Sequence, residues 1–240
     1  MMGAFWQSTK QAFGTTDWRT LNGLHAEDAA TREAAMSRII ETYWPCVYAW
    51  CRQRGHDRHA AAELTQGFFA DVVIGRGLLG GADAEKGRAR SFILTALKNY
   101  EVDCARKAIS RGLGKHVSEE CLEYEEHAGV TDSGSADDAF DQRWAMGMFT
   151  EALRRVESHF ECNGRSAHWK LFERRVLRPT SQPLGDLALE LGFGSAADGA
   201  AAVQTVKRRV QAVLREVVAE QTNDGESASG DYEEVVRLLG

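Results

Sequence analysis

The chain has 240 residues, a formal net charge of −6 and 43% hydrophobic residues, enough for one large domain or two small ones with separate cores. No apolar run approaches the roughly 20 residues of a membrane span, and no basic segment followed by an apolar core opens the chain. Five cysteines (46, 51, 104, 121, 162) without a CxxC pair fit reduced thiols better than a disulfide framework, so the expectation is a soluble cytoplasmic protein.

Three prolines, abundant Ala, Leu, Glu and Arg, and no alternating Val/Ile/Thr runs predict an all-α fold. Residues 1–24, with Phe5, Trp6, Phe13 and Trp18, read as an aromatic-anchored arm. From Glu27 to about Arg54 the pattern is helical, with Ala30, Ala34, Ile39, Ile40, Tyr43, Val47 and Trp50 as expected core positions. Pro45 should kink or restart that helix, because it lacks an N–H for the preceding turn. Gly55 should end it.

The next helix is expected from His59, where Leu64, Phe68 and Val72 repeat every four residues and Phe69 and Val73 widen the stripe. Glu63, Gln66 and Asp71 fall largely outside it. His56, His59 and Glu63 have a weak metal-like spacing and read as solvated polar residues, so no metal or other cofactor is expected. Residues 75–80 spell GxGxxG, but after a helix rather than a strand, which removes the dinucleotide meaning.

Residues 88–107 form the most informative stretch. At 100° per residue, Ile93, Ala96, Leu97, Tyr100 and Cys104 share an apolar arc. Arg88, Ser91, Thr95, Asn99 and Arg106 lie opposite, with Lys98 and Asp103 at the edges and Phe92 close to the polar side. Guanidinium, hydroxyl and amide groups at one-turn spacing suit phosphate oxygens and base edges, and an exposed aromatic can stack on an unpaired base. Charge is distributed in blocks. Residues 86–115 hold eight Lys/Arg against two acids, 116–142 hold nine acids and no Lys or Arg, and 143–178 return eight basic against four acidic residues.

Residues 113–139 read as an acidic linker. A second helical unit is expected from Phe140, with Trp144, Met148, Ala152, Val156 and Phe160 at steps of four and Asn163-Gly164 as its end. Trp169, Phe172 and Val176 mark another helix before Pro179. Leu184, Leu187, Ala188 and Leu191 form a short helix capped by Gly192. Ser195 and Asp198 then make a capping box for a helix carrying Val203, Val206, Val210, Val213 and Val217. Gln204, Lys207, Arg208, Gln211 and Arg215 point elsewhere, as in the second helix of a helix-turn-helix, the alternative being a helical hairpin buried in a bundle. Residues 221–230 read as a mobile Gly/Ser/acid-rich tail, with a terminal turn or two from Tyr232 to Leu239. No nucleophile elbow or Ser/His/Asp spacing indicates an enzyme.

Tyr43-Trp44-Pro45, Leu64-Thr65-Gln66-Gly67-Phe68-Phe69 and the segment 87–98 (GRARSFILTALK) resemble the bacterial sigma-70 superfamily, specifically its small extracytoplasmic-function (ECF) type. The resemblance implies a sigma region 2-like bundle over 25–112 and a sigma region 4-like helix-turn-helix over 140–222, joined by the acidic linker 113–139 and followed by a tail, 223–240. It implies a subunit that binds core RNA polymerase and directs promoter recognition and DNA melting, with an anti-sigma or regulatory protein as a further candidate partner. It assigns Glu63, Gln66 and Phe69 to polymerase docking. Arg88, Arg90, Ser91, Phe92, Thr95, Lys98, Asn99 and Arg106 would hold the −10 strand, and Ser195, Gln204, Thr205, Lys207, Arg208 and Gln211 would meet the −35 element. The alternative expectation is a sigma-like helical adaptor or regulator that binds polymerase or DNA without initiating on its own.

Overall fold

A computed structural model describes residues 28–75, 89–110, 134–220 and 225–239. Eight α-helices and no strand occur among them: α1 Ala29–Gln53, α2 Arg58–Gly67, α3 Ala89–Ser110, α4 Ala136–Cys162, α5 Ser166–Phe172, α6 Leu184–Glu190, α7 Ala196–Ala219 and α8 Gly225–Leu239. The all-α expectation holds. The expected arm and most of the expected linker lie outside the described residues.

The starts of α1 and α2 have a local cause. Asp28 accepts the Thr31 N–H at 2.9 Å to open α1, and Asp57 accepts the His59 and Ala60 N–H groups at 2.8 Å to open α2. These contacts satisfy donors that lack an intrahelical partner. Gly55, Gly164 and Gly192 all have positive φ and follow α1, α4 and α6, where a left-handed residue ends a helix at least cost.

Four expectations are corrected. The restart expected at Pro45 does not occur and helix α1 runs through it, since one missing N–H is tolerated when tertiary packing holds the rest of the helix. Ala30 and Ala34 are exposed, while Ala35, Thr42, Cys46 and Cys51 are buried; the core-facing stripe of α1 is rotated at its first turns. Helix α4 starts at Ala136 rather than Phe140, because Ser135 and Asp138 form a reciprocal capping box. The tail contains a full helix, α8, from Gly225 rather than a turn from Tyr232, with Asp231 and Val235 buried.

Helix α2 passes into a π-helical segment, Phe68–Gly75, and α5 into another, Glu173–Leu177. The wider turn of the first keeps Phe68, Phe69, Val72 and Val73 all in the core. Where α2 meets α3, a Cβ on Gly67 would collide with the Tyr100 hydroxyl. The glycine makes room for that ring, whose edge meets Phe68 at 5.9 Å between centroids.

Helix α4 is the central support. It packs on α1, α5, α7 and α8. Tyr43 stacks with Phe140 at 6.2 Å, and the Trp50 indole N–H donates to Asp137 at 3.1 Å. At the other end Arg155 reaches Glu151 on α4 and Glu220 just after α7, at 2.8 and 2.6 Å. Buried side chains from Ile39 to Val235 belong to one contiguous hydrophobic cluster.

Candidate nucleic-acid interface

The α6–α7 unit is built around a close helix crossing. A Cβ on Gly199 would stand 2.6 Å from the Ala188 Cβ and 3.4 Å from Leu171 Cδ2, so only glycine lets α7 come this near to α6. Gly192 (φ 84°) reverses the chain between them. The Ser195 hydroxyl accepts the Asp198 N–H at 3.1 Å and donates to its carboxylate at 2.8 Å. The hydroxyl half of the expected capping box is present, the Asp198 carboxylate taking the hydroxyl instead of the Ser195 N–H, and this contact occupies the hydroxyl assigned above to nucleic acid.

The apolar stripe of α7 lies inside: Ala202, Val203, Val206, Val210, Val213, Leu214, Val217 and Val218 are buried. Gln204, Thr205, Lys207, Arg208 and Gln211 are all exposed. The Thr205 hydroxyl donates to the Ala201 carbonyl at 2.9 Å, which leaves Gln204, Lys207, Arg208 and Gln211 as the outward donors. Gln204 and Lys207 also line an open groove of about 530 Å³ whose other walls are Arg175, Val176, Leu184, Ala200 and Val203. Arg175 comes from the segment after α5, and sequence periodicity gave no sign of it. Two cations and an amide in one groove suit a phosphate backbone with adjoining base edges.

Helix α3 separates its expected residues into three groups. Ser91, Thr95, Asn99 and Arg106 are exposed along one side, a row of about 22 Å at the helical rise. Val102 and Lys107 are exposed in the same stretch. Lys98 is exposed too, but its ammonium is ion-paired with Asp137. Phe92 is half-buried and packs against the core, so its ring is not free to stack on a base.

Arg90 departs most from expectation. It is 8% exposed. Its guanidinium donates to both Glu234 oxygens at 3.0 and 2.9 Å, lies 3.4 Å from Asp141 and covers the Trp144 ring at 4.5 Å. Burial raises the Asp141 carboxyl above the usual range, against the attraction of Arg90. Arg88 lies outside the described residues.

Of the residues assigned to polymerase docking, Glu63 and Gln66 are exposed on α2. Phe69 is 3% exposed and stacks on Trp44 at 5.5 Å; it lies in the core, on the apolar stripe that periodicity predicts, and not on a docking surface. His56 is half-buried with Nε2 3.7 Å from Glu101, a carboxylate that also takes Arg54 at 3.1 Å, so it is not the solvated residue expected. No metal-competent cluster of His, Cys, Asp or Glu occurs among the described residues, and no helix among them is long and apolar enough to cross a membrane.

Comparison of the chain with protein-family models, curated proteins and solved structures finds no match.

Proposed function

We propose that this protein is a sigma-type subunit that binds core RNA polymerase in the cytoplasm and directs it to promoter DNA, with no catalytic chemistry or cofactor of its own. The observation that carries the reading is the α6–α7 helix-turn-helix. Its crossing is tightened at Gly199, and Gln204, Lys207, Arg208 and Gln211 face outward on the second helix, the arrangement that lays such a helix in a major groove.

In this reading residues 25–112 and 140–222 act as two modules. Exposed Glu63 and Gln66 belong to the polymerase-docking surface, and the row Ser91, Thr95, Asn99 and Arg106 holds an unpaired strand. The first turns of α7 expose only alanines at 196, 197, 200 and 201 with Asp198. Contacts to phosphate and groove shape therefore outweigh base-edge hydrogen bonds there.

The test is direct. Purified protein is mixed with core polymerase and passed over a sizing column, and transcription is measured from a promoter mapped after overexpression. Co-elution with initiation is expected; absence of core binding would sink the proposal.

A second reading has its own support. Arg90 and Phe69 are buried and Lys98 is ion-paired, which removes three of the residues expected to work at the surface. A sigma-like adaptor that binds polymerase or DNA without initiating alone fits that reduced set. Permanganate footprinting separates the two: binding without reactive thymines favours the adaptor, and an opened −10 region favours the initiation factor.

A further inference from the structure

Helix α8 connects the two surfaces just described. Tyr232 and Glu234 are two positions apart, so their side chains leave the helix roughly 200° apart. Each takes an arginine from a different element. The Tyr232 ring lies under the Arg215 guanidinium of α7 at 4.5 Å, and both Glu234 carboxylate oxygens accept from Arg90 of α3 at 3.0 and 2.9 Å. Asp231 and Val235 are buried between these contacts, and α8 packs along α7 and α4.

Both arginines belong to helices that carry the exposed polar rows. A planar guanidinium that holds a carboxylate in two-point contact can hold a phosphate in the same way, but not both at once. At the start of α4, Asp137 occupies Lys98 and Asp141 faces Arg90. Carboxylates of the chain itself thus sit on two of the cations of α3.

We infer that α8 is an intrachain latch: Glu234 and Tyr232 occupy Arg90 and Arg215 in place of nucleic-acid phosphate, and binding of a nucleic-acid strand competes with the docked helix. This rests on the reading of α3 and α7 as nucleic-acid surfaces. The latch is a segment of this same chain and needs no second protein to act. Its chemistry predicts that loss of the Glu234 charge strengthens binding, the reverse of what loss of a purely structural ion pair does.

The test uses the full chain with Glu234→Gln. Asp141 and the Trp144 ring remain beside Arg90 in this variant, so the guanidinium is not stranded without a partner. Binding of a fluorescein-labelled 20-nucleotide single strand is followed by anisotropy at fixed salt. The variant should bind about tenfold more tightly, because the competent state no longer has to displace the carboxylate. In the unaltered protein, hydrogen exchange of amides 229–239 should speed up when the strand is added, a readout that needs no variant to fold. Measurable binding by both proteins with equal affinity, or binding that leaves α8 exchange unchanged, overturns the latch and leaves the nucleic-acid reading standing. No binding by either protein overturns both.

Discussion

Gly199 of α7 lies against Ala188 of α6 so closely that a β-carbon at 199 would come within 2.6 Å of the alanine's. The obstacle is a Cβ fixed to the backbone, not the end of a flexible side chain. Gly199→Ala therefore forces the two helices apart. An alanine gains about 1 kcal/mol of helix propensity over glycine, but overpacking at a rigid contact costs about 1–3 kcal/mol, so the variant should be destabilised on balance. Urea denaturation of Gly199→Ala, and of the double variant with Ala188→Gly, checks this. The second change should restore most of the loss, and simple additivity would show that the crossing is not the cause.

Phe69 separates a core role from a docking role. Its ring stacks on Trp44 and meets the edge of Phe68 at 5.3 Å. Phe69→Ala should cost about 3–5 kcal/mol through cavity formation, visible as a lower denaturation midpoint. Exposed Glu63→Ala and Gln66→Ala should stay within about 0.5 kcal/mol of the parent. Any loss of polymerase binding in those two variants then reports contact rather than folding.

The outer row of α3 predicts a division between charge and hydrogen bonding. Arg106→Ala should weaken single-strand binding at low salt and reduce the slope of log affinity against log salt by about 0.7, the contribution of one phosphate contact. Asn99→Ala should lower affinity with the slope unchanged, because an amide releases no counterion. Titrations at several salt concentrations distinguish the two, and identical slopes in all three proteins would remove Arg106 from the phosphate-binding surface.

The apolar skeleton of this fold could be read from periodicity, because an amphipathic stripe reports burial directly. The valines of α7 and the four-residue steps of α4 from Trp144 to Phe160 are all buried. The start of α7 was legible from Ser195, whose short polar side chain has one obvious use there. What periodicity could not show is which polar residue is already engaged. Arg90 lies beside exposed Ser91 in sequence, yet its partners Asp141 and Glu234 are 51 and 144 positions away, and no local pattern encodes a meeting at that distance. Phe69 was misplaced for a different reason. Periodicity puts it on the apolar stripe, where it is indeed buried, and only the resemblance draws it out to a docking surface.

Acid should loosen the α4–α7 connection. Burial pushes the Glu151 carboxyl up, but hydrogen bonds from Arg154 and Arg155 outweigh it and hold the group below its ordinary value of 4.5. A carboxylate whose folded value is depressed stabilises the fold fully above the unfolded value and loses that contribution as pH falls through the folded one. Stability should therefore decline below about pH 4.5, and Glu151→Gln should be less stable at pH 7 with a shallower acid dependence. Thermal melts of both proteins between pH 7 and pH 3 measure the difference.

The pairing of Arg90 with Glu234 spans 144 residues, and this sets an order of events on the ribosome. At roughly 5–20 residues per second, Arg90 is made about 7–29 s before its carboxylate partner. During that interval the nascent chain carries α3 and then α7 without the helix that ties their arginines down. A chain translated only as far as α7 thus carries Arg90 and Arg215 without Glu234 and Tyr232, and those two guanidinium groups are chemically different there from their state in the folded protein.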